Sequence, residues 1–277
     1  MTMLRSLQVL LLLTAVLSVH AEDAVAAPGA LYDKVIAAKT VRIGVSPDSP
    51  PFGIRRGKNY QGFDIDIADA VFHGLGIDTI EYVPVTSEQR IQFLREGKVD
   101  VVVASMTQTR ARESQVDFTL PYFQDGESLL VTNDSPVKTY QDLAGVQVGV
   151  EAGTTAITYL KQVAPDAKLV EYPDSNALRK ALEDGTETVV STDLLLLIGM
   201  RKLCKTPSAY RIAGQRFTTE PYAMAVPQDQ SKWRNAINHA LLEIWEDGTW
   251  QKCAATWFGP GAPYEHRITF AMVPYPK

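Results

Sequence analysis

The chain has 277 residues, 45% of them hydrophobic and 21% charged, with a formal net charge of -5. This composition is typical of a globular protein with one large domain or two of moderate size. A mild acidic excess gives no electrostatic footprint for nucleic acid or anionic lipid, so we exclude nucleic-acid binding.

Residues 1–21 have the pattern of a secretory signal peptide. Arg5 lies in a short basic start, an apolar stretch follows, and small residues precede a predicted cleavage after Ala21, with Ala27 as the alternative. The apolar stretch is shorter than the roughly 20 residues that span a membrane, and no later segment is long enough either. We therefore expect a soluble protein that is periplasmic or otherwise exported.

The cysteine and histidine content bears on disulfides and metals. Cys204 and Cys253 suit an oxidising, exported environment, and their even number favours a disulfide over two buried thiols. Four histidines and two cysteines without close spacing predict no metal site. Nothing in the sequence indicates a cofactor.

Two pairs of similar strings divide the chain. VRIGV (41–45) and VQVGV (146–150) are short β-rich runs; LREGKVDVVVAS (94–105) and LEDGTETVVSTD (182–193) each predict a helix end, a glycine cap and a buried strand. Helix-like segments such as GFDIDIADAVFHGLG lie between them. Strands alternating with helices predict parallel sheets covered on both faces, and the repeated order predicts two α/β lobes.

Two further helical stretches, SKWRNAINHALLEIWEDG and TWQKCAATWFG, follow the second set of strands. If they return to the first lobe, the chain crosses between lobes twice, near 124–129 and near 216–222. A double crossover makes a hinge, and the cleft between the lobes becomes the expected ligand site. The predicted domains are lobe 1 at 28–125 and 220–259, lobe 2 at 126–219, and a C-terminal extension at 260–277 that either packs along a lobe or is loose.

Polar groups follow the strand at 99–104, at the end where open parallel sheets bind ligands. Ser105, Thr107 and Arg112 lie in this stretch, SMTQTRAR. Arg112 could present its guanidinium to a carboxylate, with the two hydroxyls donating hydrogen bonds. The alternative is a solvated loop.

The second half supplies complementary groups. Thr154 and Thr155 open a helix, whose N-terminus can bind an anion or can simply be capped by these side chains. Asp193 ends a predicted strand and could pair with an ammonium or cap the next helix. An arginine on one lobe, with a helix terminus and an acid on the other, would suit a zwitterion, which indicates an amino acid.

At this point the sequence resembles solute-binding protein family 3, the exported amino-acid-binding proteins of ABC importers, whose fold the ligand domains of ionotropic glutamate receptors share. The matching strings span nearly all of residues 38–259: GFDIDIADAV, VTSEQRIQFLREGKVDVVVASMTQTRAR, VDFTLPYF, GVEAGTT, VVSTDLLLL and TWFG. The resemblance implies a two-lobed, periplasmic-binding-protein-like (type II) α/β fold with a two-strand hinge. It also implies a non-enzymatic function: capture of a free amino acid and delivery to an ABC permease. We expect a monomer, since this architecture needs no partner to bury its core.

Six positions match residues that hold the α-groups of the ligand in this family: Ser105, Thr107, Arg112, Thr154, Thr155 and Asp193. By this match Arg112 clamps the α-carboxylate beside Thr107, and the helix start closes on it from the second lobe. The main-chain carbonyl of Ser105 and the acid Asp193 accept from the α-ammonium.

The resemblance is less decisive about the ligand side chain. TSEQRI is similar to the TSxNRI string of glutamate/aspartate binders, which places Ser87 and Arg90 near a distal carboxylate. Such binders often carry an arginine where this chain has Ser46, and many relatives place a stacking aromatic at Ser49. Glu151 could repel an acidic side chain or attract a basic one. Acidic ligands are modestly favoured, and a neutral polar ligand such as glutamine or asparagine is the alternative.

The resemblance also supports the disulfide, since the receptor ligand domains join the second lobe to a C-terminal helix at similar places. Two rival functions stay open. An exported dehydratase-like enzyme would need Glu151 or Asp193 beside a base, and neither has an obvious partner. A stand-alone amino-acid sensor would be expected to carry a fused signalling segment, which this chain does not show.

Overall fold

Residues 29–273 are described by a computed structural model, and the predicted signal peptide lies outside them. The helices are α1 (Ala30–Ala38), α2 (Phe63–Gly74), α3 (Gln89–Arg95), α4 (Arg110–Glu113), α5 (Ala156–Val163), α6 (Ser175–Glu183), α7 (Leu194–Leu203), α8 (Ser231–Glu246) and α9 (Thr249–Phe258). The strands are β1 (Thr40–Val45), β2 (Asp48–Ser49), β3 (Gly53–Arg56), β4 (Asn59–Gln61), β5 (Thr79–Pro84), β6 (Val101–Val102), β7 (Asp117–Asp125), β8 (Glu127–Thr132), β9 (Gln147–Glu151), β10 (Lys168–Tyr172), β11 (Val189–Asp193), β12 (Tyr210–Ala213) and β13 (Glu220–Val226). Within this range no helix is long and apolar enough to cross a bilayer.

The first sheet has the strand order β5-β1-β6-β13-β7. β1 pairs in parallel with β5 and β6, while β13 runs antiparallel to both of its neighbours. One face carries an aromatic core that includes Phe63 of α2, Trp233 of α8 and Trp250 of α9. The other face packs against α3 through Leu94. Burial on both faces explains why residues 101–104 of VDVVVA, which include β6, form a continuous apolar run.

The second sheet repeats this plan with the order β10-β9-β11-β8-β12. β9 pairs in parallel with β10 and β11, and β8 runs antiparallel to β11 and β12. Leu160 of α5 packs in the core on one face, and Leu178 of α6 and Met200 of α7 pack on the other. The repeated strings therefore occupy equivalent positions: β1 corresponds to β9, and β6 to β11. Each sheet is mixed rather than purely parallel, because the strand beside the hinge runs against its neighbours.

The chain passes between the sheets at Gly126 and returns between β12 and β13. The two crossing segments touch: a Cβ on Gly126 would lie 2.2 Å from the carbonyl oxygen of Thr218, so only glycine fits there. Glu220, at the start of β13, pairs with Asp125, at the end of β7. The chain therefore crosses twice between the two sheets, and the two crossings lie side by side.

The C-terminal extension packs on the first lobe as far as residue 273. The ring of Phe270 lies 5.6 Å from Trp250, 5.9 Å from Trp245 and 6.4 Å from Phe123 between centroids. Met272 is also buried in this core. Of the two arrangements considered for this extension, packing along a lobe is the one observed.

The predicted disulfide between Cys204 and Cys253 is wrong, because both thiols are free. Cys204 is buried in the α6–α7 core of the second lobe, where its thiol donates to the carbonyl of Met200 at 3.4 Å. Cys253 lies on α9 and packs against the core of the first lobe. Burial raises the pKa of each thiol to about 11, so both stay protonated. An even number of cysteines does not show that the two residues pack in different hydrophobic cores, as they do here.

Candidate functional site

All ten residues predicted to bind the ligand line one pocket between the two sheets. They are Ser46, Ser87, Arg90, Ser105, Thr107, Arg112, Glu151, Thr154, Thr155 and Asp193. The sequence did not single out Ala104, Thr192 or Leu196, which also line the pocket together with Ser49. The lining comes from both lobes because the carboxyl ends of β1, β6, β9 and β11 all face the cleft.

Arg112 lies on α4, whose first turn is capped by the Thr109 hydroxyl accepting from the Arg112 N–H at 3.2 Å. Its guanidinium donates to the carbonyl of Thr107 at 2.7 Å and, across the cleft, to the carbonyl of Gly153 at 2.9 Å. The lobes are therefore in contact around this side chain. Burial and the neighbouring Arg90 lower the pKa of Arg112.

Arg90 and Arg112 carry charge that no acid neutralises through an ion pair. None of the ion pairs found in residues 29–273 includes either guanidinium. Both bind main-chain carbonyls instead. A buried cation without an anion is costly, so this part of the pocket would be stabilised by a carboxylate.

Ser105 has a left-handed backbone (φ 45°) that a buried acid holds in place. Oδ2 of Asp64 accepts from the Ser105 N–H at 2.7 Å and from its hydroxyl at 3.0 Å, while Oδ1 accepts from the Tyr122 hydroxyl at 2.7 Å. Both donors of Ser105 are thus used, so the expectation that its hydroxyl donates to the ligand is wrong, whereas its carbonyl can still accept. Burial raises the pKa of Asp64 to about 6. Sequence analysis did not identify Asp64 as part of the site, because an acid in the first turn of a helix is common and its partner Ser105 is distant in the sequence.

The second lobe presents the start of α5 to the same pocket. Thr155 is the N-cap residue, but its side chain makes no capping bond. The Thr154 hydroxyl donates to the carbonyl of Glu151 at 2.7 Å. Since simple capping does not use the Thr155 hydroxyl, that group and the first N–H groups of α5 are available for an anion.

Asp193 stands at the N-cap position of α7 without capping it. Asp125, in the hinge, accepts from the N–H of Leu195 at 2.8 Å in its place. The Tyr222 hydroxyl donates to Oδ2 of Asp193, whereas Oδ1 is buried and has no hydrogen-bond partner. Burial and neighbouring acids raise the pKa of Asp193. A buried acceptor without a donor favours a ligand that supplies one, such as an ammonium.

The far end of the pocket combines a fixed cation with a titrating acid. Arg90 donates to the carbonyls of Ser87 at 3.0 Å, Ala104 at 2.9 Å and Gly153 at 3.5 Å, which fixes its orientation and leaves further N–H groups free. Burial raises the pKa of Glu151 to about 7, although Ser87 and Arg90 act to lower it. This end of the pocket can therefore offer a donor and an acceptor to one side chain.

Two small-residue contacts outside the pocket also join the lobes. A Cβ on Gly199 of α7 would lie 1.8 Å from the carbonyl oxygen of Pro50, on the other lobe. A Cβ on Gly153 would lie 2.7 Å from Cα of Glu88. The side chain of Asp48 accepts from the N–H of Asn176 across the same gap, at 3.1 Å. The structure is thus the closed form of the cleft.

Comparison with known proteins agrees with this architecture. The chain matches the bacterial extracellular solute-binding proteins, family 3, over residues 41–260. It is 34% identical over 219 residues to the ABC transporter glutamine-binding protein GlnH of Bacillus subtilis, covering 77% of this chain and 79% of that protein. It is 30% identical over 227 residues to the glutamate-binding protein GluB of Corynebacterium glutamicum, covering 77% and 76%.

Among solved structures, an ancestral arginine-binding protein bound to glutamine has a TM-score of 0.75 and 36% sequence identity, covering 80% of this chain and 99% of that one. The family match covers most of the chain, and the two-lobed type II fold is shared. The protein therefore belongs to the bacterial extracellular solute-binding proteins of family 3.

Proposed function

We propose that this protein captures a free amino acid in the interlobe pocket and delivers it to an ABC permease. The observation that carries the proposal is the closed pocket, which joins unneutralised guanidinium charge on one side to a buried, unpartnered carboxylate oxygen on the other. The α-groups of an amino acid supply both missing charges at once. The family and the named relatives support the transport role.

In this proposal Arg112 and the start of α5 hold the α-carboxylate. Oδ1 of Asp193 and the carbonyl of Ser105 accept from the α-ammonium. Arg112 belongs to the first lobe and Asp193 to the second, so a ligand with both α-groups favours closure. A ligand lacking either group would leave a buried charge unpaired, which costs several kcal/mol.

We further propose that the ligand side chain ends in an amide, as in glutamine. Free N–H groups of Arg90 would donate to the amide oxygen, and Glu151 would accept from the amide nitrogen. Glutamate would place a second carboxylate beside Glu151, and a basic side chain would face Arg90. The glutamine named for GlnH and for the ancestral structure supports this choice. This proposal replaces the modest preference for an acidic ligand drawn from the sequence. The sequence alone could not show that Glu151 is buried beside Arg90 in the folded protein.

Thermal unfolding of the protein, freed of bound ligand, against each standard amino acid tests this function. A ligand at 1,000 times its Kd adds about 4 kcal/mol of stability. For a chain of this size the melting temperature should then rise on the order of 8–16 °C, with glutamine giving the largest rise. A rise with glutamate alone would contradict the amide assignment. No rise with any amino acid would overturn the capture function.

Glu151→Gln should shift selectivity toward glutamate. The wild-type ratio of glutamate to glutamine affinity should increase as the pH falls through about 7, because Glu151 gains a proton there and stops repelling the acidic ligand. The variant should show a higher ratio at pH 8, by roughly tenfold or more, and little pH dependence. Titration calorimetry with both ligands checks this. Protonation of Asp193 should weaken both ligands equally, because both carry the same α-ammonium, so it cancels in the ratio of affinities. A wild-type ratio independent of pH would exclude Glu151 from the side-chain end.

No observation favours the enzyme alternative. Neither a histidine nor a lysine lines the pocket, so Glu151 and Asp193 have no base partner there.

A further inference from the structure

Three buried carboxylates lie close together beside the two crossings of the hinge. Asp193 ends β11 and stands opposite Glu127, the first residue of β8. Glu220 begins β13, on the returning segment. One carboxylate oxygen from each residue lies within 4.8 Å of one from each of the others. All three are buried, with exposures of 1% for Glu127, 4% for Asp193 and 0% for Glu220. We call these three residues the hinge carboxylates.

Each hinge carboxylate has one oxygen fixed by a hydroxyl. Ser191 donates to Oε2 of Glu127 at 3.0 Å, Thr218 donates to Oε1 of Glu220 at 3.0 Å, and Tyr222 donates to Asp193. Oε2 of Glu220 and Oδ1 of Asp193 are buried without a hydrogen-bond partner. The side chains are therefore oriented. Oδ1 of Asp193 is the acceptor proposed above for the α-ammonium, so Oε2 of Glu220 is the oxygen that still needs a positive or donating group.

No protein cation compensates this charge through an ion pair. Within residues 29–273 the ion pairs include none of the hinge carboxylates, and the nearby Arg216 pairs with a fourth acid, Asp125, at 3.4 Å. Burial and mutual repulsion raise the pKa of Glu127 and of Asp193, so these carboxyl groups are costly to ionise as they stand. A divalent cation between the three side chains would stabilise their ionised forms.

The donor set and its spacing indicate which cation fits. Every candidate ligand atom is a carboxylate oxygen, which hard cations prefer over zinc or copper. The three oxygens all lie within 4.8 Å of one another, which is close enough for a single ion to bind all of them. Calcium accepts several carboxylate ligands in a flexible geometry at about 2.3–2.6 Å, whereas magnesium needs a strict octahedron and usually keeps several waters. Three buried carboxylates therefore suit calcium better than magnesium.

We propose that Glu127, Asp193 and Glu220 bind a hard divalent cation of the size of calcium. Because Glu127 begins the outgoing segment and Glu220 ends the returning one, the ion would tie the two crossings of the hinge together. Asp193 would be shared, one part of its carboxylate serving the cation and another the ligand ammonium. Histidine and cysteine spacing gave no sign of this site, because its ligands are all carboxylates from distant parts of the sequence.

The test is the melting temperature of the EDTA-dialysed protein, without added amino acid, in millimolar CaCl2, MgCl2 or MnCl2 at neutral pH. With CaCl2 at about 100 times the Kd, the wild-type temperature should rise on the order of 5–10 °C. The rise should disappear in Glu127→Gln. It should persist in Glu187→Gln, a matched control: Glu187 is buried with an unpartnered Oε2 but bonds to Gln147 and Tyr172 outside the hinge.

An equal rise in Glu127→Gln, or no rise in the wild type with any of the three salts, would overturn the cation site. Equilibrium dialysis of the wild type with calcium needs no variant and should give one ion per chain; no bound calcium would also overturn the site. Since no amino acid is present, failure here leaves the capture function untouched.

Discussion

Arg112→Ala should abolish amino-acid binding while leaving the fold intact. The substitution removes the group proposed to clamp the α-carboxylate, so the ligand would be buried with an unpaired charge. Loss of one partner in such a pair costs about 2–5 kcal/mol, or a rise in Kd of roughly 30- to 5,000-fold. Titration calorimetry with glutamine measures the loss. The stability of the unliganded protein should change by only about 1–2 kcal/mol, because the Arg112 guanidinium donates only to the carbonyls of Thr107 and Gly153 among the described residues.

Arg110→Ala is the matched control for this variant. Arg110 begins the same helix, α4, and is exposed outside the pocket. It should bind glutamine as the wild type does. If Arg112→Ala retained near wild-type affinity, Arg112 would have to be removed from the binding site.

Gly199→Ala should weaken binding by preventing full closure. Its new Cβ would lie 1.8 Å from the carbonyl oxygen of Pro50 on the opposite lobe, so the lobes must separate to accept it. Overpacking of this kind costs about 1–3 kcal/mol, which corresponds to a loss of roughly 5- to 150-fold in affinity. In the open form the same change should stabilise α7 by up to about 1 kcal/mol, since alanine is the better helix former. Weaker binding together with an unchanged or higher melting temperature without ligand is the expected signature.

Small-angle scattering of the ligand-saturated variant should show a larger radius of gyration than the saturated wild type. Gly74→Ala, at the end of α2, serves as control because its Cβ would meet nothing within 4 Å. Wild-type affinity and compaction in Gly199→Ala would mean that closure does not need the contact with Pro50.

The sequence was sufficient for the parts of the molecule that depend on local pattern. Apolar runs such as VDVVVA, each followed by polar residues, located the strands and the edge on which the proposed ligand-binding residues lie. Asp193 could be assigned to that edge because it ends a predicted strand, and Arg112 because it belongs to the polar stretch that follows one. The repeat of VRIGV as VQVGV was enough to predict a second, similar sheet.

What could not be predicted depends on long-range pairing. Strand periodicity does not show that β8 and β13 run against their neighbours, and this register is what brings Glu127 and Glu220 near Asp193. Asp64 looks like an ordinary acid in a first helical turn until its partner Ser105 is known. The predicted disulfide was wrong for the same reason, because an even number of cysteines does not show how far apart they lie in the fold.

The pairing of Glu220 with Asp125 has a consequence for how the chain is built. The strands on either side of residues 126–219, β7 and β13, are antiparallel neighbours in the first sheet, about 4.8 Å apart. The helices at the two ends of the chain, α1 and α9, also pack in the first lobe. The second lobe is therefore an insertion into a hairpin of the first. A two-residue turn could replace it without breaking the sheet register. By the same geometry, the second lobes of related proteins could be exchanged as modules through a single pair of junctions.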